Sequence, residues 1–211
     1  MSAVAGTSLV KNSDESLMKS VIKRLIKLFF LLLASPLWLW IEIMGKLRGA
    51  DAAFQAMSQL VSLIPGLLGI YLRAAFYRLA CPSTSDDISI GFLTLLSHRD
   101  TSIAEGVYIG PQCNIGKCQI GKDTLLGSGV HVLSGNKQHQ FDDPDTPIQQ
   151  QGGHYQKVQI GQDCWIGNQA IIMADVGDKT IVAAGSVQTK PCEPMAIYAG
   201  NPAKRLKSRF E

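Results

Sequence analysis

A six-residue step in the aliphatic side chains constrains this chain more than any other feature. Ile109-Gly110, Ile115-Gly116, Ile120-Gly121 and Leu126-Gly127 lead to Val132, and after a gap the series resumes at Ile160-Gly161, Ile166-Gly167, Ile172 and later Val182. Two residues before each stands a small or β-branched side chain: Val107, Cys113, Cys118, Thr124, Val130, Val158, Cys164, Ala170 and Thr180. Ordinary strands alternate with a period of two and do not repeat every six. One large and one small inward position per step describe a triangular β-solenoid, with three short strands to a coil and the aliphatic residues stacked as its core. The glycine after the aliphatic residue reads as the permit for a tight corner. The Ile115–Ile120 step is a residue short, and the Ile172–Val182 interval falls short of two steps, so an irregular corner is expected there. Cys113, Cys118 and Cys164 sit at the small inward position and read as core packing rather than metal ligands. The five cysteines show no CxxC spacing, which fits reduced thiols in a cytosolic compartment.

Ahead of the repeat the chain changes character. Residues 1–16 are small and polar and read as a disordered tail, and residues 17–84 read as a helical, membrane-associated region. The run Leu28–Ile41 is shorter than the roughly 20 residues a helix needs to span a bilayer, and Pro36 near its middle favours a kink. Lys19, Lys23, Arg24 and Lys27 precede it, and Lys46 and Arg48 follow. Positive flanks on both sides favour a segment that enters one leaflet and returns over one that spans. A second block, Ala56 to Leu79, interrupted by Pro65-Gly66, reads as an amphipathic or broken helix in the interface. Packing of both blocks as ordinary soluble helices is the alternative.

The repeat, assigned to residues 88–190, is interrupted by a long insert at 133–157, and residues 191–211 form a C-terminal segment. An insert longer than about 15 residues without structure of its own is usually functional or disordered. This one carries His139 with Asp142, Asp143 and Asp145, and His154 follows Gly152-Gly153 at its far end. His131, just before core Val132, points outward and is a candidate cleft residue; a structural role suits His98 in the first coil.

The stretches Ile160–Asn168, Ala184–Lys190 and Ala199–Lys204 resemble the hexapeptide-repeat acyltransferases, which include maltose, galactoside and serine acetyltransferases. The resemblance covers roughly residues 88–209. The N-terminal third is similar to membrane-associated sugar acyltransferases of bacterial exopolysaccharide and lipopolysaccharide synthesis. The resemblance implies a mostly β fold, a left-handed parallel β-helix, and acetyl-CoA as donor to a saccharide hydroxyl. It implies His139 as general base, a task imidazole suits because it titrates near neutrality. An aspartate, Asp142 or Asp143, or a backbone carbonyl would orient the ring, and spacing does not choose among them; His131 and His154 are further candidates for the acceptor side. Coenzyme contacts are implied at Asn168, Ala184, Gly185, Ser186, Thr189, Lys190 and Lys204, with Trp165 walling the acyl pocket or covering a neighbouring subunit. A homotrimer on the cytoplasmic face of a bacterial inner membrane, with a lipid-linked acceptor, completes the expectation.

Charged residues make up only 18% of the chain and the net charge is +3, with no broad basic patch, so a nucleic-acid partner is not expected. Two other functions fit such a solenoid. A zinc enzyme resembling γ-class carbonic anhydrases needs three converging histidines, and the four present lack that spacing. A non-catalytic membrane scaffold of the same fold is the second.

Overall fold

A computed structural model describes residues 5–210, with side chains from Met18 onward. Three helices lead: α1 (Ala5–Arg48), α2 (Ala50–Ser62) and α3 (Gly66–Ala80). Residues 1–4 of the stretch read as a disordered tail lie outside the described residues. From Ala5 the backbone is already α1, through a segment whose Leu, Lys, Glu and Met are good helix formers.

The helix also runs unbroken through Pro36, so the segment does not turn back on itself as its basic flanks suggested. Proline lacks the N–H that would reach the Leu32 carbonyl. The Ser35 hydroxyl donates to that oxygen instead, at 2.8 Å. The chain breaks where the Pro65-Gly66 pair predicts it, between α2 and α3. Within the second block, Leu60, Leu63, Leu67 and Leu68 are exposed, whereas Leu72 to Tyr77 of α3 are all buried. The buried residues pack between α1 and the first strands.

The repeat folds into three parallel sheets. The first contains β1 (Ser89–Ile90), β4 (Tyr108–Ile109), β7 (Leu125–Leu126), β10 (Trp165–Ile166) and β12 (Ile181–Val182). It ends with β14 (Ala196–Gly200) and β15 (Ala203–Ser208). The second holds β2 (Leu95–Leu96), β5 (Asn114–Ile115), β8 (His131–Val132), β11 (Ile171–Ile172) and β13 (Val187–Gln188). The third holds β3 (Ser102–Ile103), β6 (Cys118–Ile120) and β9 (Val158–Ile160). Up to the long insert each strand pairs with the one three places on, so one strand from each sheet makes a rung. In-register pairing stacks Ile109 on Leu126, Leu126 on Ile166 and Ile166 on Val182. The aliphatic series and the small inward series are both buried, Cys113, Cys118 and Cys164 among them. All five thiols are free, and burial pushes the Cys118 thiol up to about 12, which keeps it unreactive.

Two local expectations change. The irregular corner after Ile172 is filled by Val176, which bridges Ile160 below and Cys192 above, so the third sheet continues as single bridges. The glycine after each aliphatic residue serves coil-to-coil approach rather than the turn. A Cβ on Gly167 would lie 2.3 Å from the Ala184 nitrogen. The left-handed backbone falls two residues later, at Gln169 (φ 58°) and, one rung up, Gly185 (φ 68°).

Helices cover the first rung, and the first sheet is extended at the far end. At the start, the Ser58 hydroxyl accepts from the Leu96 N–H at 2.9 Å and shares a 2.8 Å hydrogen bond with the Tyr77 hydroxyl, tying α2, α3 and β2 together. At the finish, the segment read as a separate C-terminal piece joins the first sheet. There β14 adds parallel to β12, and β15 folds back antiparallel on β14.

Candidate active site

The insert leaves the stack after β8 and returns at β9, from the corner between the second and third sheets. It is ordered by its own backbone. The N–H groups of His154, Gln140 and Gln156 donate to the carbonyls of Lys137 (2.8 Å), Gly152 (3.0 Å) and Ser134 (2.9 Å), making an antiparallel two-strand arm. Gly153 permits this closeness, since a Cβ there would lie 1.8 Å from the Gln138 oxygen and 3.0 Å from the His139 nitrogen. The arm leans back on the first rung. The Tyr155 and His98 rings lie 5.2 Å apart, and Lys157 Nζ reaches Asp100 at 2.7 Å and the Ser102 hydroxyl at 3.1 Å. The Lys157 ammonium, with Lys117 beside it, holds the Asp100 carboxyl below the usual carboxylate range. That clamp contributes above an ordinary carboxylate pKa of about 4 and is lost as pH falls through the depressed value.

His139 is exposed on this arm and borders two adjoining cavities. One, of about 300 Å³, is walled by Leu133, Phe141 and Met173. The other, of about 510 Å³, is walled by Asp142, His154 and Lys137. Asn136 and Phe141 line both; Leu133 and Met173 add apolar surface to the first, and Lys137, Asp142 and His154 add titratable groups to the second.

The structure therefore brings together His139, Asp142 and His154, as the spacing allowed. It separates Asp143 from them. The Asp143 carboxylate accepts from the Asp145 N–H at 2.9 Å and the Thr146 hydroxyl at 2.7 Å, while Gln151 donates to its carbonyl. The Thr146 hydroxyl, then the Asp145 N–H, hold that carboxyl below its ordinary value. Asp143 thus builds the tip of the arm, leaving Asp142 as the aspartate on the cavity. His131 points outward from the second sheet, stacked between Asn114 and Ile171, and lines neither cavity. Among the described residues there is no group of three or more side chains able to hold a metal.

The implied coenzyme contacts divide between places. Asn168, Ala184 and Gly185 lie on successive rungs of the corner between the first and second sheets, where the Gly185 N–H donates to the Asn168 carbonyl at 2.8 Å. Asn168 Oδ1 also accepts from the Ser128 N–H at 3.1 Å. Lys204, exposed on β15 opposite Ala199, lies toward the same edge. Ser186 is 1% exposed, and its hydroxyl accepts from the Gly200 N–H, so its side chain serves the core. Thr189 and Lys190 follow β13 at the corner from which the arm leaves, higher in the stack. Trp165 is 54% exposed on the flat first sheet, in line with Tyr108, Leu125, Ile181 and Ile197. Phe141, Met173 and the Tyr155–His98 contact were not singled out from sequence. The aromatic character of Phe141 and Tyr155, inside an otherwise polar insert, was the available signal.

Alanine at Gly153 is expected to widen the arm and move His139 without unfolding the stack. With His139 as the expected general base, activity should fall on the order of tenfold, since a misplacement of about an ångström can cost up to about 10²-fold. The thermal midpoint should stay unchanged, which differential scanning fluorimetry beside a turnover assay would check.

Comparison with known proteins agrees with this architecture. Residues 157–190 match the family model described as the hexapeptide repeat of succinyl-transferase. A probable macrolide acetyltransferase of Lysinibacillus sphaericus is 37% identical over 110 residues, which cover 44% of this chain and 61% of that protein. A chloramphenicol acetyltransferase of Klebsiella aerogenes is 34% identical over 113 residues, covering 46% of this chain and 54% of that one. This chain therefore spans little more than half the length of these curated relatives. Among solved structures, a maltose O-acetyltransferase from Clostridium difficile 630 shares the fold, with a TM-score of 0.63 at 21% identity over 75% of this chain and 87% of that one. A galactoside acetyltransferase solved in complex with coenzyme A does so with a TM-score of 0.58 at 16% identity, over 75% and 82%. The repeat region carries the resemblance to the hexapeptide-repeat acyltransferases at the levels of family model, sequence relatives and fold.

Proposed function

We propose that this protein is an acetyl-CoA-dependent O-acetyltransferase acting on a saccharide hydroxyl at a membrane surface. The observation that carries the reading is His139, held on an ordered arm at the edge of a hexapeptide stack beside two adjoining cavities, one with Leu133 and Met173 and the other with Asp142 and His154 in its wall. In this reaction His139 takes the proton of the acceptor hydroxyl as its oxygen attacks the thioester carbonyl. The tetrahedral intermediate collapses with loss of the coenzyme A thiolate, and the proton passes from the imidazolium to that sulfur. The products are the acetyl ester and free thiol, with no covalent enzyme intermediate. Asp142 or a backbone carbonyl would fix the ring tautomer.

The three sheets are taken to wind left-handed, as in the enzymes this chain resembles. A homotrimer is part of the proposal, supported by two features. The corner bearing Asn168, Ala184 and Gly185 and the corner bearing the arm lie at opposite edges of the second sheet. They are separated by a side of about six residues, or roughly 20 Å. A neighbouring copy brings such edges together in a closed ring. The outward row Tyr108, Leu125 and Trp165 offers an apolar flat face for that contact. We place the protein on the cytoplasmic face of a bacterial inner membrane, in exopolysaccharide or lipopolysaccharide synthesis. The apolar N-terminal helices support this placement.

A second acceptor class is favoured by the names of the relatives, which act on macrolides and chloramphenicol. Incubation with acetyl-CoA and each of a lipid-linked saccharide, a free saccharide, a macrolide and chloramphenicol, read by mass spectrometry, separates the two. Acetylation of the saccharides is the expected result. Acetylation confined to the antibiotics would overturn the saccharide assignment while leaving the chemistry in place.

A further inference from the structure

The helix α1 contains a stretch, Met18–Arg48, of 31 residues that is long and apolar enough to cross a bilayer, and only 17% of its most apolar window is buried. Its packing argues for a different placement. One side of the helix is fixed to the protein. Phe30, Ala34 and Ile41 are buried, and Phe30 stacks on Tyr71 of α3 with ring centroids 5.4 Å apart. Near one end of this side, Lys23 and Lys27 pair with Asp87 and Asp86 at 3.0 Å; near the other, Glu42 pairs with Arg99. These partners flank the first rung, at its entry and at the corner after β2. Lys23 and Glu42 lie roughly 28 Å apart along the helix at 1.5 Å per residue. The helix axis therefore runs across the first rung rather than along the stack.

The opposite side is an unpartnered stripe at helical spacing: Ile22, Leu25, Phe29, Leu32, Leu39 and Ile43, all exposed. Its surroundings indicate lipid as the occupant. Lys19, Arg24, Lys46 and Arg48 flank it, exposed and without an ion pair among the described residues. Glu42, the acidic residue between Met18 and Arg48, is already paired. That charge pattern complements anionic headgroups and opposes pairing with a second copy of the same basic-flanked face. Pro36 is itself exposed between Leu32 and Leu39, so the carbonyl it orphans belongs to this side. In water such a carbonyl would be hydrated, whereas in hydrocarbon it needs an internal donor, which the Ser35 hydroxyl supplies.

We infer that α1 lies flat in one leaflet of an anionic membrane as an in-plane raft, does not span it, and stands the stack of rungs upright on the surface. This deepens the membrane placement proposed above and rests on it. The arm leaves the third rung, two steps of about 4.8 Å above the first, and the helical base intervenes, so His139 stands on the order of 25 Å above the lipid. The arm also leans toward the base through Tyr155 on His98 and Lys157 on Asp100. The acceptor suited to this geometry is a saccharide projecting from a lipid carrier.

Two measurements on the full-length chain test the inference. The first is co-flotation with vesicles of phosphatidylcholine and phosphatidylglycerol. The wild type should float, and the doubly substituted Leu25→Glu, Leu32→Glu variant should lose binding by about tenfold or more, because charge replaces the apolar contact. These positions are exposed, so the variant keeps its fold. A wild type that stays in solution, whether monomeric or self-associated through the stripe, overturns the membrane placement itself. The second carries cysteines at both polar ends, Ser20→Cys with Lys46→Cys, in sealed proteoliposomes treated with a membrane-impermeant maleimide. The five native cysteines are buried and give little background. An in-plane helix yields molecules with two labels or none. A spanning helix yields molecules with one, which would overturn the in-plane arrangement while leaving membrane binding intact.

Discussion

Replacing Arg73 by alanine is expected to destabilise the protein by roughly 4 kcal/mol, from a cavity plus three carbonyls left without a donor. The side chain is fully buried on α3. Its Nε donates to the Ile90 carbonyl at 2.8 Å, and its Nη1 donates to those of Val61 (3.1 Å) and Ile64 (2.7 Å). Val61 and Ile64 lie at and just beyond the end of α2, where helical carbonyls lack intrahelical partners and the dipole favours a cation. Ile90 belongs to β1. One guanidinium therefore closes the end of a helix and seats the first rung on the helical base. Burial lowers its pKa, but an arginine starts so high that the charge persists. Lysine at this position should recover only part of the loss, since an ammonium lacks the planar fork that reaches three acceptors. Urea denaturation of the three proteins checks this; equal midpoints for wild type and the alanine variant would remove Arg73 from this role.

The sequence contains Arg73 but not its partners, and this marks where legibility ends. The rungs were readable because an inward side chain every six residues is a local pattern, repeated often enough to stand out. Val107, Cys113, Ile115 and Ile166 all lie inside as their spacing requires. The helices were less readable because α1 is apolar on two sides, one against α3 and one exposed. A linear run of Leu and Phe does not say which side faces what. Pro36 suggested a kink because proline removes a hydrogen bond, yet one seryl hydroxyl and the packing of Phe30, Ala34 and Ile41 keep the helix continuous. The glycines after the aliphatic residues were visible, but their purpose emerged only from the spacing between rungs, which no single repeat contains.

Replacing His139 by alanine is expected to lower kcat/KM for acetyl transfer by about 10²-fold or more, the usual contribution of a general base. The side chain is exposed, so folding should be unaffected, and the thermal midpoint serves as the control. Asp142→Asn should cost less than His139→Ala, since an orienting carboxylate acts through the ring. Asp143→Asn should act through the order of the arm tip instead, because its carboxylate is already occupied by Asp145 and Thr146. Sequence could name this histidine and a pair of neighbouring aspartates but not divide their labour. Adjacent residues in a turn point in different directions, and only the fold shows that one faces the cavity and the other its own loop. The coenzyme contacts that the resemblance implies form a set of residues in the sequence and not a place. Rungs separate Asn168, Ala184 and Gly185 from Thr189 and Lys190 by the width of a sheet, and turn Ser186 inward.

The most direct test of the account is turnover of acetyl-CoA by the wild-type, full-length protein on lipid vesicles carrying a saccharide-linked lipid, read as release of free thiol. The account predicts thiol release that requires the saccharide, matches the acetyl ester formed mole for mole, and falls about 10²-fold in His139→Ala. Equal release by wild type and variant would contradict the assignment of the base. Absence of release, together with no binding of coenzyme A, would contradict the enzyme itself and leave a membrane-bound scaffold of the same fold.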